Sequence, residues 1–564
     1  MPYSSPVAEF RFILDQVVPL APVAACPRFA EATPETVEAI LTEAGRLCDQ
    51  VMAPLQRPGD LHPARLENGV VRASPGFAAG YKAIAEGGWV GVAAAPEYGG
   101  MGLPQAINMA VNDMMSGACL SLQLNPLLTQ GQIEALEHHA SDAIKDLYLP
   151  KLISGEWSGT MNLTEPQAGS DVGALRTKAE PQADGSYRIS GQKIFISWGD
   201  SDVVANVCHL VLARLPGAAG GTRGISLFMV PKYLPDTAGN PGVPNDLKVV
   251  SLEHKMGLHG SPTCVMAFEG ATGWMVGAPH KGMAAMFTMM NNARLAVGIQ
   301  GIGVAEAATQ KAVDYARDRQ QMGAIIDHAD VRRMLATMKA EVFAARAIAM
   351  ACAVSLDMAR GVESEAAVEW QARAALLTPI AKAYGTDIGC SVAEMGVQVH
   401  GGMGFIEETG AAQFYRDVRV TAIYEGTNGI QAMDLVGRKM MDDGAAAFRL
   451  LAEVEEAAAS ARASLPDLAD SVWQAAEALR ETTEWLIGQP AQERFAGAVP
   501  YLRAFARVLG AHFHLKAALV GDGARKALAA VYIQRLLPQY AAALAEARAG
   551  SAGLYALSAE DLGA

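Results

Sequence analysis

The feature that most constrains this chain is the order in which its hydrophobic periodicity changes. Up to residue 158 apolar residues recur at helical spacing; from 159 to 278 they alternate or cluster as in strands; from 279 helical spacing returns. Helices, then strands, then helices do not build the alternating βαβ sheet of most cofactor enzymes of this size, so the expected class is α+β. In the first part, Glu35 to Arg57, Phe77 to Glu86, Gln105 to Leu122 and Ser141 to Leu149 read as helices. Ser141 serves as N-cap of the last, and Pro150 follows its end.

In the middle part, "SYRISGQKIFIS" and "HLVLARL" read as strands. The turn-rich "ADGSY", "LPGAAGGTRG" and "PDTAGNPGVPND" between them point to a small barrel or sandwich. Beyond it, "RLAVGIQGIGVAEAATQKAVDYARDRQQM", "VRRMLATMKAEVFAARAIAMACAVSL" and "EWQARAALLTPIAKAYGTDIGCSVAEMGVQVHGG" read as long helices of a bundle. Residues 447–564 are Ala-rich helix, with Leu468, Val472, Ala476 and Leu479 on one face and breaks at Pro466, Pro490 and Pro500. The expected divisions are therefore 1–158, 159–278, 279–446 and 447–564. No strand–GxGxxG–helix unit occurs: "GIQGIG" (Gly298 to Gly303) lies within a helical pattern, where its glycines serve close helix packing.

Composition narrows the function. Charge is 45 basic against 59 acidic residues, a net of −14, which argues against non-specific nucleic-acid binding but leaves room for a local basic pocket. The seven cysteines form no C-x-x-C pair and read as reduced thiols of a cytosol. "MPYSSPVAEFRFILD" has no basic n-region, so no signal peptide is expected. The richest apolar helix, around "AIAMACAVSL", reads as about half a membrane span. The expectation is a cytoplasmic protein without a transmembrane segment.

Two strings carry chemistry. "MNLTEPQAGSDVGALRTKA" sets the hydroxyls of Thr164 and Ser170 around a Pro-x-Ala-Gly turn, with Thr177 seven residues on. Such a turn exposes backbone N–H groups to a polar ring edge or an anion; by composition alone an ordinary loop is the better reading. "VRVTAIYEGTNGIQ" places one carboxylate, Glu425, between an apolar run and a Gly-Thr-Asn turn. A lone Glu there is usually solvent-exposed. His138, His139 and His400 have no metal-ligand company, so no metal is assigned; Glu407 and Glu408 read as solvated.

The first string as a whole resembles the flavin-binding signature of the acyl-CoA dehydrogenases, and three further matches follow in order. "GQKIFIS" is similar to the strand beside the isoalloxazine ring, and "YARDRQQMGAII" to the helix end that reaches a neighbouring subunit's FAD. "VQVHGGMGF…YRDVRVTAIYEGTNGIQ" is similar to the signature that carries the catalytic Glu. The resemblance covers about residues 35 to 445 and implies a helical domain, a β-barrel and a four-helix bundle, here with a C-terminal helical extension. The long form is most similar to the subgroup that includes the 3-methylmercaptopropionyl-CoA dehydrogenases.

Carried over position by position, the resemblance implies that Met161, Leu163, Thr164, Gly169 and Ser170 line the flavin and, at Ser170, the mouth of the substrate channel. Ser197 bonds near flavin N5 and Phe195 shields the ring. Arg319, Gln321 and Met322 contact the partner chain's FAD; Gln398, Gly401 and Gly402 hold the adenosine diphosphate half of the other chain's FAD; Thr427 touches this chain's own diphosphate. Sites shared between chains imply a homodimer or higher oligomer.

Substrate contacts are implied for Asn291, Arg294, Tyr424 and Gly426, with Arg294 at the CoA end. An arginine paired with a helix carboxylate is the plainer alternative. Leu120 to Leu128 is expected near the acyl pocket. Glu425 is implied as the base that removes the α-proton of an acyl-CoA while the β-hydride leaves to flavin N5, giving a trans-2-enoyl-CoA. The substrate is 3-methylmercaptopropionyl-CoA or a short- to long-chain acyl-CoA, and an electron-transferring flavoprotein is the implied acceptor.

The chain departs from the pattern in five places, one being Asn291 where the family often has Asp. Many relatives have Trp at Phe195 and Asn at Trp198; the Phe after "Arg-x-Gln" is Met322, and a following Gln is Ala329. Three rival readings stay open. One is an acyl-CoA oxidase or other flavin oxidase. The second, a nitroalkane-oxidase-like enzyme, usually has Asp at the base position. The third is a silent helical scaffold.

Overall fold

The computed structural model describes residues 3–363 and 365–563. The molecule is α+β, with helices on both sides of a mixed sheet in sequence order. After the helices Pro34–Leu47 and Phe77–Glu86 comes α1, Gln105–His139, which runs well past the expected Leu122. It is two helices broken at Cys119, where φ −159° and ψ 90° leave the helical region. Its N-terminus is capped from a distance: the buried Asp357 carboxylate accepts from the N–H groups of Gln105 and Ala106 at 2.7 and 2.9 Å. The next helix, Asp142–Ile153, has Ser141 at its N-cap without a side-chain bond, and Pro150 lies inside it and does not end it.

Seven strands form the sheet: β1 Trp157–Asn162, β2 Lys178–Pro181, β3 Tyr187–Ser197, β4 Asn206–Arg214, β5 Ile225–Pro231, β6 Leu247–Leu252 and β7 Thr263–Val276. β7 pairs β3, β3 pairs β2, β2 pairs β4, β4 pairs β5, and β5 returns to β7, so the ring closes. The expected barrel is therefore present, with β1 and β6 added outside the ring.

The bundle is α2 Gly282–Asp318, α3 Ala329–Gly361 and α4 Glu365–His400, which pack on one another, α2 and α3 also lying against α1. Close approach explains "GIQGIG": a Cβ at Gly298 would lie 2.6 Å from the Ala381 carbonyl oxygen, and one at Gly301 2.4 Å from that of Gly385. α3 corrects the membrane expectation in one respect. It holds an 18-residue window of mean hydropathy 1.6, long and apolar enough to span, yet 89% of that window is buried inside the protein.

Beyond α5 (Asn428–Asp434), residues 445–563 are helical, and Leu468, Val472, Ala476 and Leu479 are buried. Pro466 opens one helix and Pro490 caps the next, whereas Pro500 sits in the first turn of α6, Ala498–Val520. α6 lies against α3 and α4, pinned by Arg507 on Glu341 and by Tyr384, whose hydroxyl meets Glu341 at 2.5 Å and Tyr532 at 2.9 Å.

Candidate active site

After a 3₁₀ turn at Arg419–Ala422 the chain reaches Glu425 in the left-handed region, φ 57°, followed by Gly426 at 85°. A non-glycine residue there costs about 1–2 kcal/mol, so neighbours must hold it. Gln431 does so, donating from Nε2 to the carbonyl oxygens of Glu425 and Gly426 at 3.1 and 3.3 Å. Gly426 is needed as well, because a Cβ there would lie 2.9 Å from that Gln431 nitrogen. Thr427 caps α5 by accepting from the Ile430 N–H at 3.3 Å. Asn428 ties the loop to α4, accepting from Lys382 Nζ at 2.8 Å and donating to Thr386 and Asp387 at 2.9 and 2.7 Å.

Two buried cations face this loop. Lys382 has no exposed surface; Arg294 is 5% exposed and meets Asp434 at 3.4 Å. Arg294 is thus paired inside the body and not displayed on an outer face, while Asn291 on the same helix is exposed. Burial pushes the half-buried Glu425 carboxyl up to about 7, against the pull of Arg294 and then Lys382. Burial likewise brings the Lys382 ammonium down to about 8, with Glu425 opposing. The Tyr424 hydroxyl donates to Gln300. Among the described residues the Glu425 N–H has no acceptor, so it is free to donate to a bound ligand.

The second half of the site is the loop between β1 and β2. Glu165 organises it: its Oε1 accepts from Lys193 Nζ at 2.9 Å and from the Thr177 N–H and hydroxyl at 3.0 and 2.5 Å, and its Oε2 from the Arg176 N–H at 2.7 Å. Thr177 is therefore a loop fastener, buried and unavailable to a ligand. The Thr164 carbonyl accepts from Ile194 N–H at 2.9 Å, fixing the loop on β3. Among the described residues the hydroxyls of Thr164, Ser170 and Ser197 have no partner, and Met161, Leu163 and Gly169 lie on the same strip.

Phe195 sits at φ 60° in a register shift of β3 against β7, with its ring 60% exposed. Trp198 turns the other way. It is 1% exposed, stacks on Phe77 at 6.4 Å and donates from Nε1 to the Ser121 carbonyl at 3.1 Å.

The remaining expected residues lie at the other end of α4. Arg319, Gln321 and Met322 form an outward turn after α2, and Met322 is 98% exposed. Gln398, Gly401 and Gly402 are exposed beside it, where Tyr315 stacks on His400 at 4.3 Å. From Lys382 to Gln398 is on the order of 24 Å along the helix axis, so this cluster cannot serve the ligand at Glu425. His400 is buried and bonds the Gly396 carbonyl at 2.7 Å. Glu407 and Glu408 are exposed, as expected, and Glu407 also pairs with Arg416 at 2.8 Å.

Residues 34–156, 160–271 and 280–441 match the N-terminal, middle and C-terminal domains of acyl-CoA dehydrogenase. The chain belongs to the acyl-CoA dehydrogenase family. Residues 450–558 match a further domain, described as acetyl-CoA dehydrogenase C-terminal like. A 3-methylmercaptopropionyl-CoA dehydrogenase of Ruegeria pomeroyi is 45% identical over 519 residues, 89% of this chain and 88% of the relative.

Two solved structures share the fold. Caenorhabditis elegans ACDH-11 in complex with C11-CoA has a TM-score of 0.81 at 20% identity, over 94% of this chain and 91% of that one. An acyl-CoA dehydrogenase complexed with FAD from Bacillus anthracis has a TM-score of 0.73 at 21% identity, over 98% and 93%.

The chain is thus an FAD-dependent acyl-CoA dehydrogenase, and its residues fit the cofactor. The unpartnered hydroxyls and the exposed Phe195 ring offer a polar edge beside a flat apolar face. Gly169, Gly401 and Gly402 have no atom within 4 Å of where a Cβ would sit. No packing within this chain therefore demands glycine at those positions.

Lys382, Gln431, Gln300 and the Glu165–Lys193 pair were not singled out from sequence. The detectable signal was a lysine inside "LLTPIAKAYG", an apolar run that leaves an ammonium no solvent.

Proposed function

We propose that Glu425 is the catalytic base, taking the α-proton of an acyl-CoA so that a trans-2-enoyl-CoA results. Bound FAD supplies the two-electron acceptor for the β-hydrogen. The observation that carries this reading is a half-buried carboxylate near pKa 7 in a strained, clamped loop. At that value the carboxylate is populated at neutral pH and is a far stronger base than a solvated glutamate. Its own N–H, without an acceptor among the described residues, then polarises the thioester oxygen. Arg294 and Lys382 keep enough charge on Glu425 for it to act, and Tyr424 and Gly426 shape the wall beside it.

On this reading Thr164, Ser170, Ser197 and Phe195 hold the flavin, with Thr427 near its diphosphate. Asn291, exposed on α2, is left for the CoA arm. The exposed Met322 and Phe405, at 98% and 87%, support burial against a second copy, where Arg319, Gln321, Gln398, Gly401 and Gly402 reach the other chain's FAD. An electron-transferring flavoprotein is the proposed acceptor; rapid reoxidation by O₂ would instead mark an oxidase.

The test is anaerobic titration of the FAD-loaded enzyme with butyryl-, octanoyl-, palmitoyl- and 3-methylmercaptopropionyl-CoA, beside Glu425→Gln. Wild type bleaches at the flavin band with at least one thioester, and the variant keeps FAD without bleaching. A variant that bleaches at the wild-type rate overturns Glu425 as base.

A further inference from the structure

Arg294 stands between two carboxylates and bonds only one of them. Its Nη1 meets Asp434 Oδ2 at 3.4 Å, and both side chains are buried. Asp434 is the last residue of α5, and its other oxygen accepts from Arg438 Nε, one turn further on. Glu425 also attracts Arg294 electrostatically, yet no hydrogen bond or ion pair joins the two. The Arg294 Nε–H is buried without an acceptor, and its guanidinium lies 6.0 Å from the Phe287 ring. Among the described residues, Asp434 is thus the anion that fixes where this cation sits.

The two carboxylates flank one short segment. Glu425 precedes α5 in its strained turn, and Asp434 ends the helix. A guanidinium bonded at the far end of α5 is withheld from the near end. A direct bond there would tie up Glu425 as Lys193 ties up Glu165.

The charges that act on Glu425 are Arg294 from α2 and Lys382 from α4; Arg438 and Lys439 follow α5 and face Asp434. The other charged groups packed against α5 are committed elsewhere. Asp387 of α4 meets Arg503 of α6 at 3.7 Å, Arg507 of α6 pairs with Glu341, and Arg494 donates to the Val436 carbonyl at 3.2 Å. Tyr384 bonds Glu341, Tyr501 bonds Thr483, and Glu493 accepts from Ser551.

Resting on the assignment of Glu425 as base, we propose that Asp434 is a positioning residue that holds Arg294 off Glu425, so that the base stays free to take a proton. Without the Asp434 charge, Arg294 turns to Glu425 and pairs with it, and the paired carboxylate is the weaker base.

The test measures kcat/KM against pH in the holoenzyme with a dye acceptor and the thioester that bleaches the flavin most. Asp434→Asn keeps the shape and removes the charge, so the acid limb moves down by about one pH unit or more. Its rate above the limb falls about three-fold or more, because a weaker base transfers the proton less well. Asp434→Glu restores the charge and brings the limb back to within about 0.3 of a pH unit of wild type. In an Arg294→Met background, adding Asp434→Asn moves the limb less than about half as far, since no cation is left to release.

A purely structural role for Asp434 would lower the rate at every pH and leave the limb in place; that result overturns the proposal and leaves Glu425 as base. Should Asp434→Asn fail to fold, a crystal structure of the wild-type holoenzyme with a bound thioester decides. Arg294 stays on Asp434 there, and an Arg294 bonded to Glu425 overturns the proposal. A wild type without an acid limb, or a Glu425→Gln variant that bleaches at the wild-type rate, removes the base reading and this proposal with it.

Discussion

Two glutamates flank the site, and their environments drive them apart. Glu165, 4% exposed, accepts from Lys193, Thr177 and Arg176, and these bonds, Lys193 foremost, overcome burial and hold it down at about 2. Glu425 has two cations nearby but takes no direct bond from either, and burial lifts it to about 7. One loop is a fastener and the other carries a usable base. The difference lies in how fully each carboxylate is paired.

Removing each carboxylate's chemistry separates the two most sharply. Glu425→Gln keeps FAD and loses about 10²- to 10⁴-fold in the rate of flavin bleaching, measured by stopped flow. Lys193→Met acts on the other loop. It strands Glu165 as an unpaired buried charge, costs about 3–5 kcal/mol in denaturant unfolding, and releases FAD with the loop. If Lys193→Met leaves stability and FAD untouched, Glu165 is not the fastener described.

The fold was largely legible because period 3.6 gives way to period 2 and back, and each layer buries the face its period implies. Phe77–Glu86 ends where its pattern ends. α1 did not, because the break at Cys119 is set by tertiary contacts, including the Trp198 bond to Ser121. Pro150 was misleading because neighbouring turns tolerate it within the helix.

In the site, the Glu-Gly turn stands out locally, since only glycine suits the position after the base. Lys382 stands out only by its apolar run, which marks it as buried without saying what it serves, since its partner Asn428 is 46 residues away. Gln300 was hidden inside "GIQGIG", whose glycines draw the eye to packing.

The titrations carry opposite signs. Glu165 is depressed from 4.5 to about 2, so its stabilisation is present above about pH 4.5 and lost as pH falls toward 2. Glu425 is raised from 4.5 to about 7, so its contribution is present below about pH 4.5 and lost as pH rises through 7. Catalysis runs against that loss: kcat/KM of the free enzyme falls below about pH 7 as the base is protonated. In Lys382→Met that acid limb moves to higher pH, and activity at pH 7 drops about three- to ten-fold. An unmoved limb would leave Arg294 as the sole electrostatic partner.

The smallest effect on the chemistry falls where the two loops meet. Trp198 directly follows Ser197 at the end of β3, yet it is buried against Phe77 and bonded to Ser121, just past the helix break at Cys119. Trp198→Phe keeps an aromatic ring against Phe77 but removes the pyrrole part of the indole with its Nε1–H, leaving the Ser121 carbonyl unpaired beside a small cavity. That costs about 2–3 kcal/mol in unfolding by denaturant. Because the indole is buried against Phe77 while Phe195 is exposed, the flavin spectrum and FAD affinity stay as in wild type. A shifted flavin band would mean that the departure at Trp198 reaches the cofactor after all, and that the break at Cys119 helps to position the flavin wall.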